Sequence, residues 1–267
     1  MVRELLKTIL PKSFIDHIKL VAGRLDGWLI AVVSKLGSMS VIYYVTVRMD
    51  FHREMRSVLR ARRRYDRAKM GHEPSSYLLR RNIHRLEKGL VMEPRRDIFG
   101  EGYIEETISY LKLCLDRQVL LPSERLWARS VLSSYFSVVA DTPITANAKK
   151  IYKDYERYLD SINRDFNHRP FAYSQLAPPE IGFDELKKLC ERRHSVRWFK
   201  QIPVPRDFLS SAIDVALTAP SACNRQPLTF HVFDEPRRAQ EIGSIPMGTA
   251  GFSDNFQCLI VIVGDLS

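Results

Sequence analysis

The chain has 267 residues, 45% hydrophobic and 27% charged, a balance that supports a packed core, excludes wholesale disorder and suits two folded regions better than one. Residues 1–70 hold 15 Lys+Arg against 6 Asp+Glu and account for nearly all of the formal charge of +10, so the basic excess is local and not a property of the whole surface. Four widely spread cysteines, Cys114, Cys190, Cys223 and Cys258, form no C-x-x-C pair and have no histidine at ligand spacing, which argues against a zinc site or a disulfide framework and fits a reducing cytoplasm.

Taken in chain order, the opening "MVRELLKTILPKSFIDHIKL" has neither a continuous apolar region nor a small-residue cleavage site, so no secretory signal is expected. Residues 28–47, "WLIAVVSKLGSMSVIYYVTV", have the span of a membrane helix but carry Lys35, Gly37 and three serines. A lysine at mid-segment is expensive in hydrocarbon, so an interfacial or core-packed helix is expected there. Arg24 before it and Arg48, Arg53 and Arg56 after it suit peripheral contact with an anionic membrane. The run "LRARRRYDRAK" at 59–69 reads as a solvated helix face with a basic stripe. An acidic partner or anionic lipid could meet it. Nucleic acid is not expected, because the arginines lack interleaved stacking aromatics and match no binding motif.

Residues 73–163 read as helices. "PSSYLLRRNIHRLEKGL" at 74–90 starts with Pro74 and Ser75 or Ser76, places Leu79, Ile83, Leu86 and Leu90 on one stripe, and has Gly89 where a helix could stop. Further helical patterns cover 104–115, 123–140 and 148–162, the last with Ile151, Tyr155, Tyr158 and Ile162 on a shared face. A polar, proline-containing connector follows at 164–180. From 181 the pattern is mixed: helices at 183–191 and about 206–218, a strand at 228–235, a helix near 236–242 and a short apolar strand at 258–265, expected to be buried. The organisation expected is a basic helical segment (1–72), a helical region (73–163), a linker (164–180) and an α+β region (181–267).

Two motifs in the last region carry chemistry. "RRHSVRWF" at 192–199 packs forked guanidiniums, an imidazole and a hydroxyl together, the donors a phosphate monoester needs. "APSACNRQP" at 219–227 brackets small and amide residues with prolines, leaving backbone and short side chains free to approach a flat ring. In isolation each reads as a solvated turn. No G-x-S-x-G elbow surrounds Ser195 or Ser221, so no nucleophile and no catalytic triad are expected. Cys223 is expected to be a small buried filler.

Both motifs in register, separated by one helix and the extended "IPVP", resemble the FMN-dependent nitroreductase family. The resemblance implies that Arg193, His194, Ser195 and Arg197 contact the flavin phosphate and ribityl chain, and that Pro220, Ser221, Ala222 and Asn224 line the isoalloxazine. Gln226 and Pro227 would lead into the strand. The implied activity is NAD(P)H-dependent reduction of a nitro, quinone or related acceptor by a homodimeric flavoprotein, with no metal and with the hard chemistry carried by the cofactor. It covers about residues 180–267, the first half of that family's flavin domain, so the chain is expected to be a piece of a longer protein or a truncation of doubtful activity. The alternative is a non-enzymatic scaffold or membrane-peripheral protein with a degenerate flavin domain. "HRLEKGL" at 84–90 holds half of a metal constellation and reads as a solvated face. It is similar to a helix of longer nitroreductase-like proteins from surface-polysaccharide gene clusters. "GSIPMGTAG" matches no nucleotide-binding fingerprint.

Overall fold

The computed structural model describes residues 11–73, 75–159 and 170–266, apart from the Lys19 side chain. The linker's first half, Ile162, Pro74 and Ser267 lie outside the described residues. The chain divides into two compact units, Met1–Arg62 and Arg63–Ser267.

In the first unit, α1 (Lys12–Val33) ends at Ser34, Leu36 is extended, and α2 (Gly37–Tyr43) passes into a π-helical turn over Tyr44–Arg48. The expected single helix across 28–47 is therefore two helices: the backbone turns at 34–36, where Leu36 is extended and the flanking Ser34 and Gly37 have weak helix propensity. Asp26 holds the break together. It accepts hydrogen bonds from the Tyr43 hydroxyl and, at 3.0 Å, from Arg48, and that carboxylate pushes the Tyr43 phenol up to about 12. Among the described residues no helix is long and apolar enough to cross a membrane. The next helix, α3, runs from His52 to Lys69, with an acidic Glu54 in its first turn and Arg67 and Lys69 in its last, as the helix dipole favours.

The second unit is built on four helices: α4 (Tyr77–Leu90), α5 (Glu101–Asp116), α6 (Pro122–Val138) and α7 (Pro143–Leu159). The apolar stripe of α4 is buried as its spacing implies, through Leu79, Ile83 and Leu86, against Ile104, Ile108 and Leu111 of α5 and Val131, Leu132 and Tyr135 of α6. Each such aliphatic side chain stabilises the fold by roughly 1.5–3 kcal/mol. At the start of α6, Glu124 turns back to accept the Leu121 N–H at 2.8 Å, with Pro122 in the first helical position. Thr142 and Thr145 cap α7 reciprocally, at 2.7 and 3.2 Å, which starts that helix five residues before the sequence pattern does.

Two expectations about these helices are corrected. Ala148, Tyr152 and Leu159 form the buried face of α7, while Ile151 and Tyr158 are exposed. Both faces carry bulky residues, and Tyr152 wins because its hydroxyl finds Ser133 at 2.9 Å and its ring stacks on Phe136. Gly89 does not stop α4, which runs on through Leu90. A Cβ there would lie 2.2 Å from the Phe99 ring, so glycine permits the close approach of that ring.

The remainder is mixed, making the chain α+β. Helices α8 (Phe183–Arg192) and α9 (Arg206–Leu217) lead to β1 (Leu228–Phe233), α10 (Pro236–Gly243) and β2 (Leu259–Gly264). β1 and β2 pair antiparallel, from Leu228 opposite Gly264 to Phe233 opposite Leu259. β2 is not the buried strand its run of β-branched residues suggests: Ile262 and Val263 are exposed, as two strands cannot cover both of their faces. Gly243 of α10 lies close to the Phe256 ring, and Ala239 of the same helix is buried. α8 buries no side chain; Phe183, Leu186 and Leu189 are all exposed.

Candidate functional site

α8 ends at Arg192, Arg193 turns to extended backbone, and residues 194–199 continue outside helix and strand, with a tight turn in which the Val196 N–H donates to the His194 carbonyl at 3.0 Å. One side chain fixes that backbone. The Asn255 amide, on a buried residue, donates to the Arg197 carbonyl at 2.6 Å and accepts from the Phe199 N–H at 3.0 Å. Gln201 adds a second bond to Asn255 and meets Gln257 at 2.6 Å. Phe199, Phe252 and Phe256 stack edge to face beneath it.

Four side chains carried by this pinned segment face solvent. Arg193, His194, Ser195 and Arg197 are exposed, and among the described residues no carboxylate pairs with either guanidinium. Arg197 lies 5.9 Å over the Phe252 ring, a cation–π contact that orients the group without neutralising it. A fixed backbone bearing two uncompensated guanidiniums, an imidazole and a hydroxyl is the donor set a phosphate monoester requires.

The second motif forms a tight turn. Ser221 ties it, its carbonyl accepting the Asn224 N–H at 3.0 Å and its hydroxyl oxygen the Gln226 N–H at 2.9 Å. Cys223, Asn224 and Gln226 all have positive φ, at 53°, 50° and 46°. Three non-glycine residues in the left-handed region cost on the order of 1–3 kcal/mol each and persist only where the surroundings over-determine them. Here the surroundings are α4: Arg80 forks onto the Asn224 carbonyl at 3.1 and 2.9 Å. Glu124 holds Arg80 at 2.6 Å, and Ser76 donates to the same carboxylate at 2.7 Å. Cys223 is half-buried, and Pro227 leads into β1 as expected, its carbonyl accepting the Asp265 N–H at 2.8 Å.

The two motifs thus have separate anchors: residues 193–199 on Asn255, and residues 221–226 on Arg80. Among the described residues no hydrogen bond or ion pair joins one motif to the other. Pro220 and Ala222 are exposed, while Ser221 and Asn224 are half-buried.

Sequence reasoning missed Arg80, Glu124 and Trp127. It also read "HRLEKGL" as a solvated face, which holds for Lys88 and fails for Glu87: the buried Trp127 donates its indole N–H to Glu87 at 2.6 Å, and His84 lies 3.4 Å from the other carboxylate oxygen. Their partners lie tens of residues or more away in sequence, so no local pattern announces them. Together α4, Trp127 and the 224–226 turn line an open pocket of about 570 Å³.

Residues 190–250 match the nitroreductase family. Iodotyrosine deiodinase 1 of Rattus norvegicus is 28% identical over 36% of this chain and 34% of its own length. The iodotyrosine deiodinase of Nematostella vectensis is 28% identical over 30% and 32%. A protein of Streptococcus pyogenes serotype M6, provisionally named an NAD(P)H nitroreductase, is 31% identical over 29% and 38%. The chain spans about a third of the length of these relatives. No solved structure matches.

Proposed function

We propose that this chain carries the first half of an FMN-dependent, nitroreductase-like oxidoreductase site. Arg193 and Arg197 neutralise the flavin phosphate, His194 and Ser195 hydrogen-bond the phosphate and ribityl chain, and Pro220, Ser221, Ala222 and Asn224 lie along the ring. When bound, FMN supplies two-electron transfer between NAD(P)H and a nitro, quinone or related acceptor. The chain's own residues bind and orient: Asn255 fixes the height of the phosphate donors, and Arg80 holds the ring-side turn in its left-handed form. No side chain is assigned as a proton donor or nucleophile.

The observation that carries this reading is the pair of unneutralised guanidiniums on a pinned backbone, within the stretch similar to the nitroreductase family. The exposed apolar residues of α8 support a homodimer, since a helix with Phe183, Leu186 and Leu189 in water asks for a partner. Replacing Arg197 with alanine removes a charge-assisted contact of roughly 1.5–3 kcal/mol. FMN affinity measured by quenching of flavin fluorescence then falls about 10- to 150-fold. Unchanged affinity in Arg197→Ala rejects the assigned role.

A second reading concerns the first unit. Phe14, Ile18, Val21, Leu25, Trp28 and Val32 recur at spacings of four and three along α1, and all are exposed. Beside a basic surface such a stripe suits an anionic membrane interface. Vesicles containing phosphatidylserine are expected to co-float with the protein, and neutral vesicles are not. Equal behaviour with both removes the electrostatic version.

A further inference from the structure

Helix α3 carries seven arginines and one lysine, and the first half of it shows solvent two rows of side chains. Arg53, Arg56 and Arg60 recur at spacings of three and four, which places them within about 60° of one another around the helix and about 10 Å apart along it. All three are exposed and, among the described residues, none pairs with a carboxylate. The ion pairs of α3 lie further along, Arg64 with Asp265 at 3.5 Å and Arg67 with Glu73 at 3.7 Å. Glu54 stands outside the row, so like charges at these spacings destabilise the helix that carries them. The second row is apolar: Met55, Val58 and Leu59, at i, i+3 and i+4, are all exposed.

One kind of surface relieves both rows. A nucleic acid would neutralise the arginines and leave Met55, Val58 and Leu59 in water. An acidic groove on a partner protein encloses a single helix, whereas α1 of the same unit exposes an apolar row of its own, which favours an extended surface. A lipid interface takes apolar side chains at the acyl boundary and lets long basic ones reach the headgroup phosphates beside them. The choice of arginine over lysine adds a preference, because a guanidinium fork meets two oxygens of one phosphate group where an ammonium acts as a point charge.

We propose that α3 lies in an anionic lipid interface, with Met55, Val58 and Leu59 at the acyl boundary and Arg53, Arg56 and Arg60 on headgroups that end in a phosphate monoester. This rests on the reading of the first unit as membrane-facing, and adds to it a second helix, three headgroup residues and the chemistry they select.

The test is flotation of the full chain with phosphatidylcholine vesicles containing either phosphatidic acid or phosphatidylserine, adjusted to equal zeta potential. The phosphatidic acid vesicles are expected to bind about tenfold more tightly, the worth of a charge-assisted fork. Arg53→Gln, Arg56→Gln and Arg60→Gln together weaken that binding about a hundredfold, since each basic residue at an anionic surface contributes about fivefold. Replacing the same three with lysine keeps binding to phosphatidylserine and removes the preference. Helix content, read by circular dichroism, stays unchanged in both variants. Equal binding to the two vesicles, a preference that survives the lysine replacements, or full binding by the glutamine variant overturns the proposal and leaves the α1 reading standing. Trp28→Ser tests α1 separately: it weakens binding to both vesicles alike, and if it has no effect while the preference persists, the α1 reading falls and this one remains. Absence of binding to either vesicle removes both readings, and tighter binding to duplex DNA than to vesicles at the same salt overturns this one.

Discussion

At the scale of single residues, the pair most informative about the site is Arg80 and Glu124. Both are largely buried, with 14% and 7% of their side chains exposed. Removing one partner leaves a desolvated charge, typically costing 3–5 kcal/mol, whereas replacing both with apolar residues costs far less. Arg80→Met alone is therefore expected to lower unfolding stability by about 3 kcal/mol, and Arg80→Met with Glu124→Leu by clearly less, as read from denaturant midpoints. In both variants amide exchange at Asn224, Arg225 and Gln226 accelerates, because the fork that holds the left-handed turn is gone. An unaltered exchange rate there would show that the turn sustains its own geometry. Cys114 offers a pH test. Burial pushes its thiol up to about 12, so the folded chain keeps a proton that the unfolded chain loses from the ordinary thiol range upward. Its contribution is fully present below that range and lost as pH rises toward about 12. Cys114→Ala should flatten the fall in melting temperature between these limits, and an identical slope would refute this assignment.

Among elements, α4 does two jobs at once. One face packs Leu79, Ile83 and Leu86 into the core, and the other presents Arg80, Glu87 and Lys88 to the turn and the pocket. Its closing turn depends on Gly89, where a methyl group would meet the Phe99 ring. That ring is itself held edge to face against Tyr135, whose hydroxyl donates to the Phe99 carbonyl at 2.8 Å. Gly89→Ala improves helix propensity by roughly 1 kcal/mol but overpacks a fixed aromatic, which costs about 1–3 kcal/mol. Net destabilisation is expected as a lower melting temperature. A higher one would mean that Phe99 can move away freely.

For the whole molecule, what was legible in the sequence follows the range of the interactions. The buried stripe of α4 and the elements α8, α9, β1 and α10 follow from local spacing and punctuation. The buried face of α7 was not legible, because Ile151 and Tyr158 compete with Ala148 and Tyr152 and only the Ser133 hydroxyl, on another helix, decides between them. The break at 34–36 was hidden by the apolar content on either side of it. Of the candidate site, the residues proposed as donors were chosen from the sequence motifs alone. Their supports could not, since Asn255 reaches Arg197 across 58 residues and Arg80 reaches Asn224 across 144. Long-range supports of this kind fix a backbone whose local sequence does not announce them.

Equilibrium titration of the purified full chain with FMN, followed by the visible flavin absorption band and by quenching of flavin fluorescence, addresses the central claim most directly. Saturable binding that is lost when Arg193 and Arg197 are both replaced by alanine is the result expected. A chain that takes up no FMN, or that binds it equally well without those two arginines, would contradict the account.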